Sequence, residues 1–357
     1  MAHKVNLNCL KFSIILSGLL IFHISTAQKK IKTIGIDQFQ GFNDLLTHQQ
    51  KVLGNNVVAM IWTDSLVYKN ELGDFTATTI APIASSSKWL TAALVMQFID
   101  EGKLSLDDKV SKYIPLFASY NKNYISIRHC LSNMTGIRSE PVNMMKIFEQ
   151  PKKYNSLEDE VNDFAKKEIQ SNPGTEFTYS NIGIEIAGRV LEIISKKKFD
   201  MLIRAKLFIP LQMRQTSFST LDGSALNPSM GATSTATDYI HFLAMLLNKG
   251  KYNGQQILSE SSIKLMREIQ ASSEMIKYAP KLVHGYNYAL GSWVIEGDNR
   301  EAKILACPGL SGTWPEVDFC RGYASIIFVK NLLSEQKAEI YTGMRNAIEE
   351  KLEEKCK

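Results

Sequence analysis

The sequence predicts an α/β (α+β) chain in which strands from both ends build one antiparallel sheet and a helical region is inserted between them. Three observations predict it. Strand-type alternation occurs early, over 55–70. It returns late, over 286–331. The stretch between carries apolar residues at helical spacing. The 357 residues are 45% hydrophobic and 22% charged, which supplies a large core and excludes a disordered chain.

The elements follow in order. Lys4 and Lys11 precede the apolar run "FSIILSGLLIFHI", and the small residues Ser25 and Ala27 follow it. That pattern predicts a secretory signal over 1–27, cleaved after Ala27, and so an exported protein, periplasmic or secreted. The run is shorter than the ~20 residues a membrane span needs, so no stable span is expected after cleavage; the alternative is an uncleaved anchor. The remaining residues, 28–357, are expected to form a single domain, its α/β part near 28–90 and 284–357 and its helical part near 91–283.

"NNVVAMIWTDSLVYKN" (55–70) reads as two strands with a turn near Asp64, and 71–83 as turn and loop. Over 87–101 a helix is expected, with Trp89, Leu90, Ala93, Leu94 and Phe98 on one apolar face and Gly102 ending it. Further helices are expected over 180–197, over 235–250 with a Thr/Asp cap, and over 258–269. "YNYALGSWVIEG" (286–297), "AKILACPG" (302–309) and "YASIIFVKN" (323–331) form an antiparallel set, and 334–355 a charged amphipathic helix.

Charge and cysteines exclude several functions. Lys and Arg total 41 against 36 acids, a net +5, with the basic residues scattered, so no nucleic-acid partner is expected. The cysteines Cys9, Cys130, Cys307, Cys320 and Cys356 form no Cys-x-x-Cys pair, and the six histidines form no His-x-x-x-His pair. No metal or other cofactor is expected. An export signal permits a disulfide without choosing its pairing.

Chemistry enters at "IASSSKWLTAAL" (83–94). Ser85 and Lys88 lie one helical turn apart, on one face, at a helix start. A serine hydroxyl attacks poorly unless a base takes its proton, and a desolvated lysine can be that base. The positive end of a helix favours both the neutral amine and a nearby oxyanion. Serines at such positions also serve simply as caps. Ser86 has Trp89 at i+3 and hence no base, and Ser87 faces elsewhere. Downstream, Tyr179-Ser180-Asn181 precedes the helix over 180–197: a phenol that can relay a proton and an amide that can bond a substrate, or an aromatic beside a helix cap.

With these motifs, in this order, the chain resembles the class C beta-lactamase-like serine hydrolases over roughly 40–350. "IASSSKWLTAALVMQFIDEGKLSLDDKVSKYIP", "ISIRHCLSNMTGI", "PGTEFTYSNIGIEIAGRVLE", "IPLQMRQTSF", "GATSTATDYIHFLAMLLNKG" and "YALGSWV" carry the resemblance. It implies a beta-lactamase/transpeptidase-like fold: an antiparallel sheet flanked by terminal helices, an inserted all-α subdomain, and an active-site cleft between them. It further implies Ser85 as the acylated nucleophile, Lys88 its base, Tyr179 the shared acid/base and Asn181 a substrate-orienting group. The backbone N–H of Ser85 would be one arm of an oxyanion hole.

The family's third motif, usually Lys-Thr-Gly, His-x-Gly or Trp-x-Gly, departs here. Its best register is Cys307-Pro308-Gly309, and Leu310-Ser311-Gly312 is a second. Gly309 permits close backbone approach, and the Leu310 N–H would be the second oxyanion arm. Neither register supplies a cation for a substrate carboxylate; Lys303 and Arg321 are the nearest in sequence. Cys307 is either a reactive thiol or a small buried hydrophobe. The expected function is an exported serine hydrolase that cleaves an ester or a D-amino-acid or peptidoglycan-type amide. The alternatives are a class C-type beta-lactamase and a catalytically silent relative that binds cell-wall peptides.

Overall fold

Strand pairing joins the two ends of the chain. The computed structural model describes residues 33–139, 154–220, 222–298, 300–332 and 337–356, together with Met1. The expected signal segment lies outside the described residues, apart from Met1. Lys32–Lys357 forms one compact unit, distinct from Met1–Ile31.

The main sheet has seven strands: β1 Val57–Trp62, β2 Leu66–Leu72, β3 Asn287–Tyr288, β4 Trp293–Asp298, β5 Glu301–Ala306, β6 Trp314–Asp318 and β7 Tyr323–Val329. Their order across the sheet is β3-β4-β5-β6-β7-β1-β2, with every pair antiparallel. The seam between the chain ends is β1 on β7, where Val57 faces Val329 and Trp62 faces Ala324. The longer helices are α1 Gln40–His48, α2 Ser87–Asp100, α3 Leu157–Lys166, α4 Ile182–Ser195, α5 Ala236–Leu247, α6 Glu260–Arg267 and α7 Ala338–Glu349.

Side chains alternate across a strand, so each face of the sheet has its own core. Val58, Met60, Ala324, Ile326 and Phe328 point toward α2 and the helical region. Val57, Ala59, Ile61, Ile327 and Val329 point the other way, onto Phe42 and Leu46 of α1 and Tyr341, Met344 and Ile348 of α7. Burying one such aliphatic side chain contributes about 1.5–3 kcal/mol, so both faces must be covered. The terminal helices cover one and the inserted region the other. That region also holds short strands: Ala81–Pro82, Ser217–Phe218 and Ala232–Ser234 form one small sheet, and Phe177–Thr178 pairs with Ile276–Tyr278.

Several elements differ from expectation, among them the 286–297 strand, which is the β3–β4 pair, and three further differences have a clear physical cause. Helix α2 has no single apolar face: every residue from Ser87 to Phe98 is buried. It runs between the sheet and the other helices, and a helix buried all round needs no polar side. Gly291, with φ +78°, lets the β3–β4 turn close on it; a Cβ there would sit 2.7 Å from the Ala92 methyl. Strand β6 carries Pro315, which removes an N–H from an interior strand and hides the strand in the sequence. Helix α7 is shorter than 334–355 because the chain turns after Glu349, bringing Cys356 into a disulfide with Cys320. Among the described residues no helix is long and apolar enough to cross a membrane.

Candidate active site

The turn into α2 sets the site. Ala84 has φ +45°, in the left-handed region that a side chain disfavours by roughly 1–2 kcal/mol. Residues Ala84–Ser86 form a 3₁₀ turn that runs directly into α2. The three serines then divide. The Ser86 hydroxyl donates to the Cys307 carbonyl at 2.6 Å, and Ser87 Oγ accepts the Ala232 N–H at 3.1 Å. Tyr239 OH donates to the Ser86 carbonyl at 2.8 Å. Two serines are thus fixed by the fold. Ser85 keeps 8% of its surface exposed, and Lys88 behind it keeps none.

Tyr179 meets this turn from another element. Its loop is positioned by Asn133, whose carbonyl accepts the Thr178 N–H at 3.1 Å and whose Oδ1 accepts the Ser180 N–H at 3.2 Å. Ser85 and Trp293 lie beside the Tyr179 phenol, and the Trp293 ring is 5.3 Å from the Tyr179 ring. Burial pushes this phenol well above its ordinary range, so it is neutral at physiological pH. The Lys88 ammonium position lies over the same ring, 5.0 Å from its centre.

Lys88 Nζ donates to Asn181 Oδ1 at 2.9 Å and to the Ser229 carbonyl at 3.3 Å. Among the described residues, Ser85 is not one of its hydrogen-bond partners. Desolvation lowers the Lys88 pKa to about 8, against opposing pulls from Cys307 and Glu185. A neutral amine has two N–H donors and one lone pair. The two acceptors take both donors and leave the lone pair available. Asn181 does not cap α4: no side-chain cap bond is present, and its amide N–H₂ donates to Met230 Sδ at 3.1 Å.

The third-motif segment lies against the nucleophile turn. A Cβ on Gly309 would fall 2.1 Å from the Ile83 carbonyl oxygen, so only glycine fits. Gly309 N–H bonds the Thr313 carbonyl and Gly312 N–H the Gly309 carbonyl, both at 2.8 Å. The N–H groups of Ser85 and Leu310 have no backbone acceptor among the described residues. Cys307 is 2% exposed, and its thiol lies within hydrogen-bond reach of the carbonyls of Ser85 at 3.3 Å and Gly291 at 3.4 Å, with one proton to share between them. Burial pushes it up to about 12. Of the two readings of Cys307, the structure places it as a small buried hydrophobe holding the turn. Lys303 and Arg321 do not supply the missing cation: Lys303 pairs with Asp298 and Glu354, and Arg321 with Asp318 and Glu354, toward the C-terminal disulfide.

The sequence reading missed Asn133, Ser229, Trp293 and Glu185. Only Glu185 left a signal, an acid four residues after Asn181 within the apolar run of α4. Cavities of about 730 and 600 Å³ elsewhere contain none of the site residues. Among the described residues no cluster of His, Cys, Asp and Glu could hold a metal.

A sheet between terminal helices and a helical half, with this turn at their junction, is the architecture of beta-lactamase-fold hydrolases and penicillin-binding-protein homologues. The chain belongs to the Beta-lactamase family, whose model matches residues 42–339. It is 30% identical over 157 residues to protein flp of Staphylococcus aureus (strain MW2), an alignment that covers 43% of this chain and 31% of that protein. The match therefore spans about a third of that relative's length. Among solved structures it is similar to a beta-lactamase-like protein of Bacteroides dorei DSM 17855, at 25% identity and TM-score 0.73 over 83% of this chain and 91% of that one. It shares its fold with EstCE1, a hydrolase with promiscuous acyltransferase activity, at 19% identity and TM-score 0.72 over 87% and 99%.

Proposed function

We propose that this protein is an exported serine hydrolase that forms and then hydrolyses an acyl-enzyme on Ser85. Ser85 Oγ attacks the substrate carbonyl carbon, and its proton passes to the Tyr179–Lys88 pair, which titrates as one coupled unit. The carbonyl oxygen becomes an oxyanion held by the N–H groups of Ser85 and Leu310. Collapse breaks the bond to the leaving group, which takes the proton from the pair and departs as an alcohol or amine. Water then attacks the acyl-serine by the same route and releases the acid. The observation that carries this reading is the junction of Ser85, Tyr179 and a fully buried Lys88 whose amine titrates near 8.

The substrate is an ester, or a D-amino-acid or peptidoglycan-type amide, and one held by its carboxylate, a beta-lactam or a D-Ala-D-Ala end, is disfavoured. Cys307 occupies the sequence position of the cation that would hold that carboxylate, and it is buried and neutral. EstCE1, a hydrolase of the same fold, is consistent with acyl transfer on this scaffold. Export is supported by the basic and apolar start of the chain and by the Cys320–Cys356 disulfide, a bond favoured outside the cytosol. The test is turnover of an activated short-chain aryl ester together with labelling by a fluorophosphonate. Wild type turns over and is labelled, and Ser85→Ala does neither; equal labelling of the two overturns the reading.

A further inference from the structure

Lys88 is not the last ionisable group in its chain of contacts. Behind it, away from Ser85, Glu185 on α4 is fully buried. Four residues after Asn181, it lies on the same helix face. Its Oε1 is 2.6 Å from Ser229 Oγ and 3.3 Å from the Ser229 N–H. Its Oε2 has no partner among the described residues. The carbonyl of the same Ser229 is the second acceptor of Lys88 Nζ. Glu185, Ser229, Lys88 and Asn181 therefore form a loop of contacts that leaves α4 and returns to it.

Counting protons fixes the state of this loop. Ser229 Oγ also lies 2.8 Å from Asn227 Oδ1. Asn227 Oδ1 already accepts the N–H groups of Ser229 at 3.2 Å and Met230 at 2.7 Å, so its orientation is set. A hydroxyl has one proton to donate. If Ser229 gives it to Glu185, two bare oxygens face each other at the Asn227 contact. If Ser229 gives it to Asn227, Glu185 must itself be the donor at 2.6 Å, which only a protonated carboxyl can be. The second arrangement satisfies both contacts. Burial and the neighbouring Glu160 of α3 push Glu185 the same way, well above the usual carboxylate range, while the Ser229 contacts and Lys88 of α2 oppose them.

We propose that Glu185 is a positioning residue, a neutral carboxylic acid at rest that donates to Ser229 and so holds the Ser229 carbonyl on Lys88. An ionised Glu185 would instead act through space to favour the Lys88 ammonium, which cannot accept the Ser85 proton, and so raise the pH at which the amine becomes free. The neutral acid leaves the amine free. This inference rests on the reading of Ser85 and Lys88 above, and its test carries one readout independent of activity.

That readout is an infrared difference spectrum, wild type minus Glu185→Gln, at pH 7. The expected result is a protonated carboxyl C=O band; a carboxylate band overturns the proposal whether or not the enzyme turns over any ester. On an active ester substrate, Glu185→Gln, neutral and still a donor, keeps kcat/KM within about threefold with the acidic limb of its pH profile unmoved. A limb that moves to lower pH reveals a lost anion and overturns the proposal. Glu185→Leu lowers kcat about tenfold to a hundredfold, the range for a group supporting a reactive one, with KM nearly unchanged. Full activity in Glu185→Leu overturns it. If that variant fails to fold, Ser229→Ala breaks the same contact and must show the same kcat-weighted loss.

Discussion

Lys88 gives the site a pH signature that can be read without knowing the substrate. Desolvation holds it near 8 in the folded chain, against 10.5 for an ordinary lysine. Below about pH 8 it is protonated in both folded and unfolded chains, and the folded chain bears the full cost of a buried charge. Between about 8 and 10.5 the unfolded lysine still holds a proton that the folded one has shed, so stability rises with pH. The whole interval corresponds to about 3 kcal/mol. Lys88→Met has no such titration. Urea unfolding at pH 7 and pH 10 should move the difference between wild type and Lys88→Met by about 2–3 kcal/mol in favour of wild type at the higher pH. An unchanged difference contradicts a neutral Lys88. Ester turnover should likewise rise through about pH 8. The Ser85–Lys88 spacing was legible because a helix turn fixes it locally. Asn227, Ser229 and Asn133 were not, because they arrive on loops distant in sequence, and no periodicity links them to Lys88.

At the scale of elements, legibility follows the same rule of local cause. Strands β1 and β7 were readable because alternating apolar residues pack on two different cores. Strand β6 was not: Pro315 breaks the pattern, and its place between β5 and β7 is imposed by neighbours. The start of α5 was readable because a cap is a local device. Thr235 Oγ1 accepts the Asp238 N–H at 3.0 Å. Asp238 in turn accepts the Gln215 N–H at 2.7 Å and the Thr216 hydroxyl at 2.8 Å, so the helix start also anchors the loop beside it. Thr235→Ala frees one buried N–H and should cost about 1 kcal/mol, read as a shift in urea midpoint with an unchanged slope. Thr235→Ser keeps the acceptor oxygen and should recover most of that loss. If alanine and serine behave alike, the hydroxyl is not what stabilises the start of α5.

Across the whole molecule, two constraints act at opposite ends of one strand. The β5–β6 turn carries Gly309 and Leu310 to Ser85, and the β6–β7 turn carries Cys320 to Cys356. The five residues of β6 separate them by roughly 17 Å. The disulfide spans 36 residues, including β7 and α7, and pins the tail that follows α7. The Lys355 N–H to Cys320 carbonyl bond at 2.8 Å and the ion pairs of Glu354 with Lys303 and Arg321 hold the same tail, though exposed pairs contribute little. Most of the restraint therefore lies in the covalent link, which acts on the unfolded chain by closing a loop of this length, worth about 2–4 kcal/mol. The Cys320→Ser, Cys356→Ser double variant should lose about that much stability in non-reducing buffer. Its kcat/KM on an aryl ester at 25 °C should match wild type, because the lost restraint is remote from the nucleophile turn. Reductant should lower wild-type stability toward that of the variant and leave the variant unmoved. A parallel fall in kcat/KM would show instead that the sheet transmits strain from the tail to Ser85, and that the two ends of β6 are not independent.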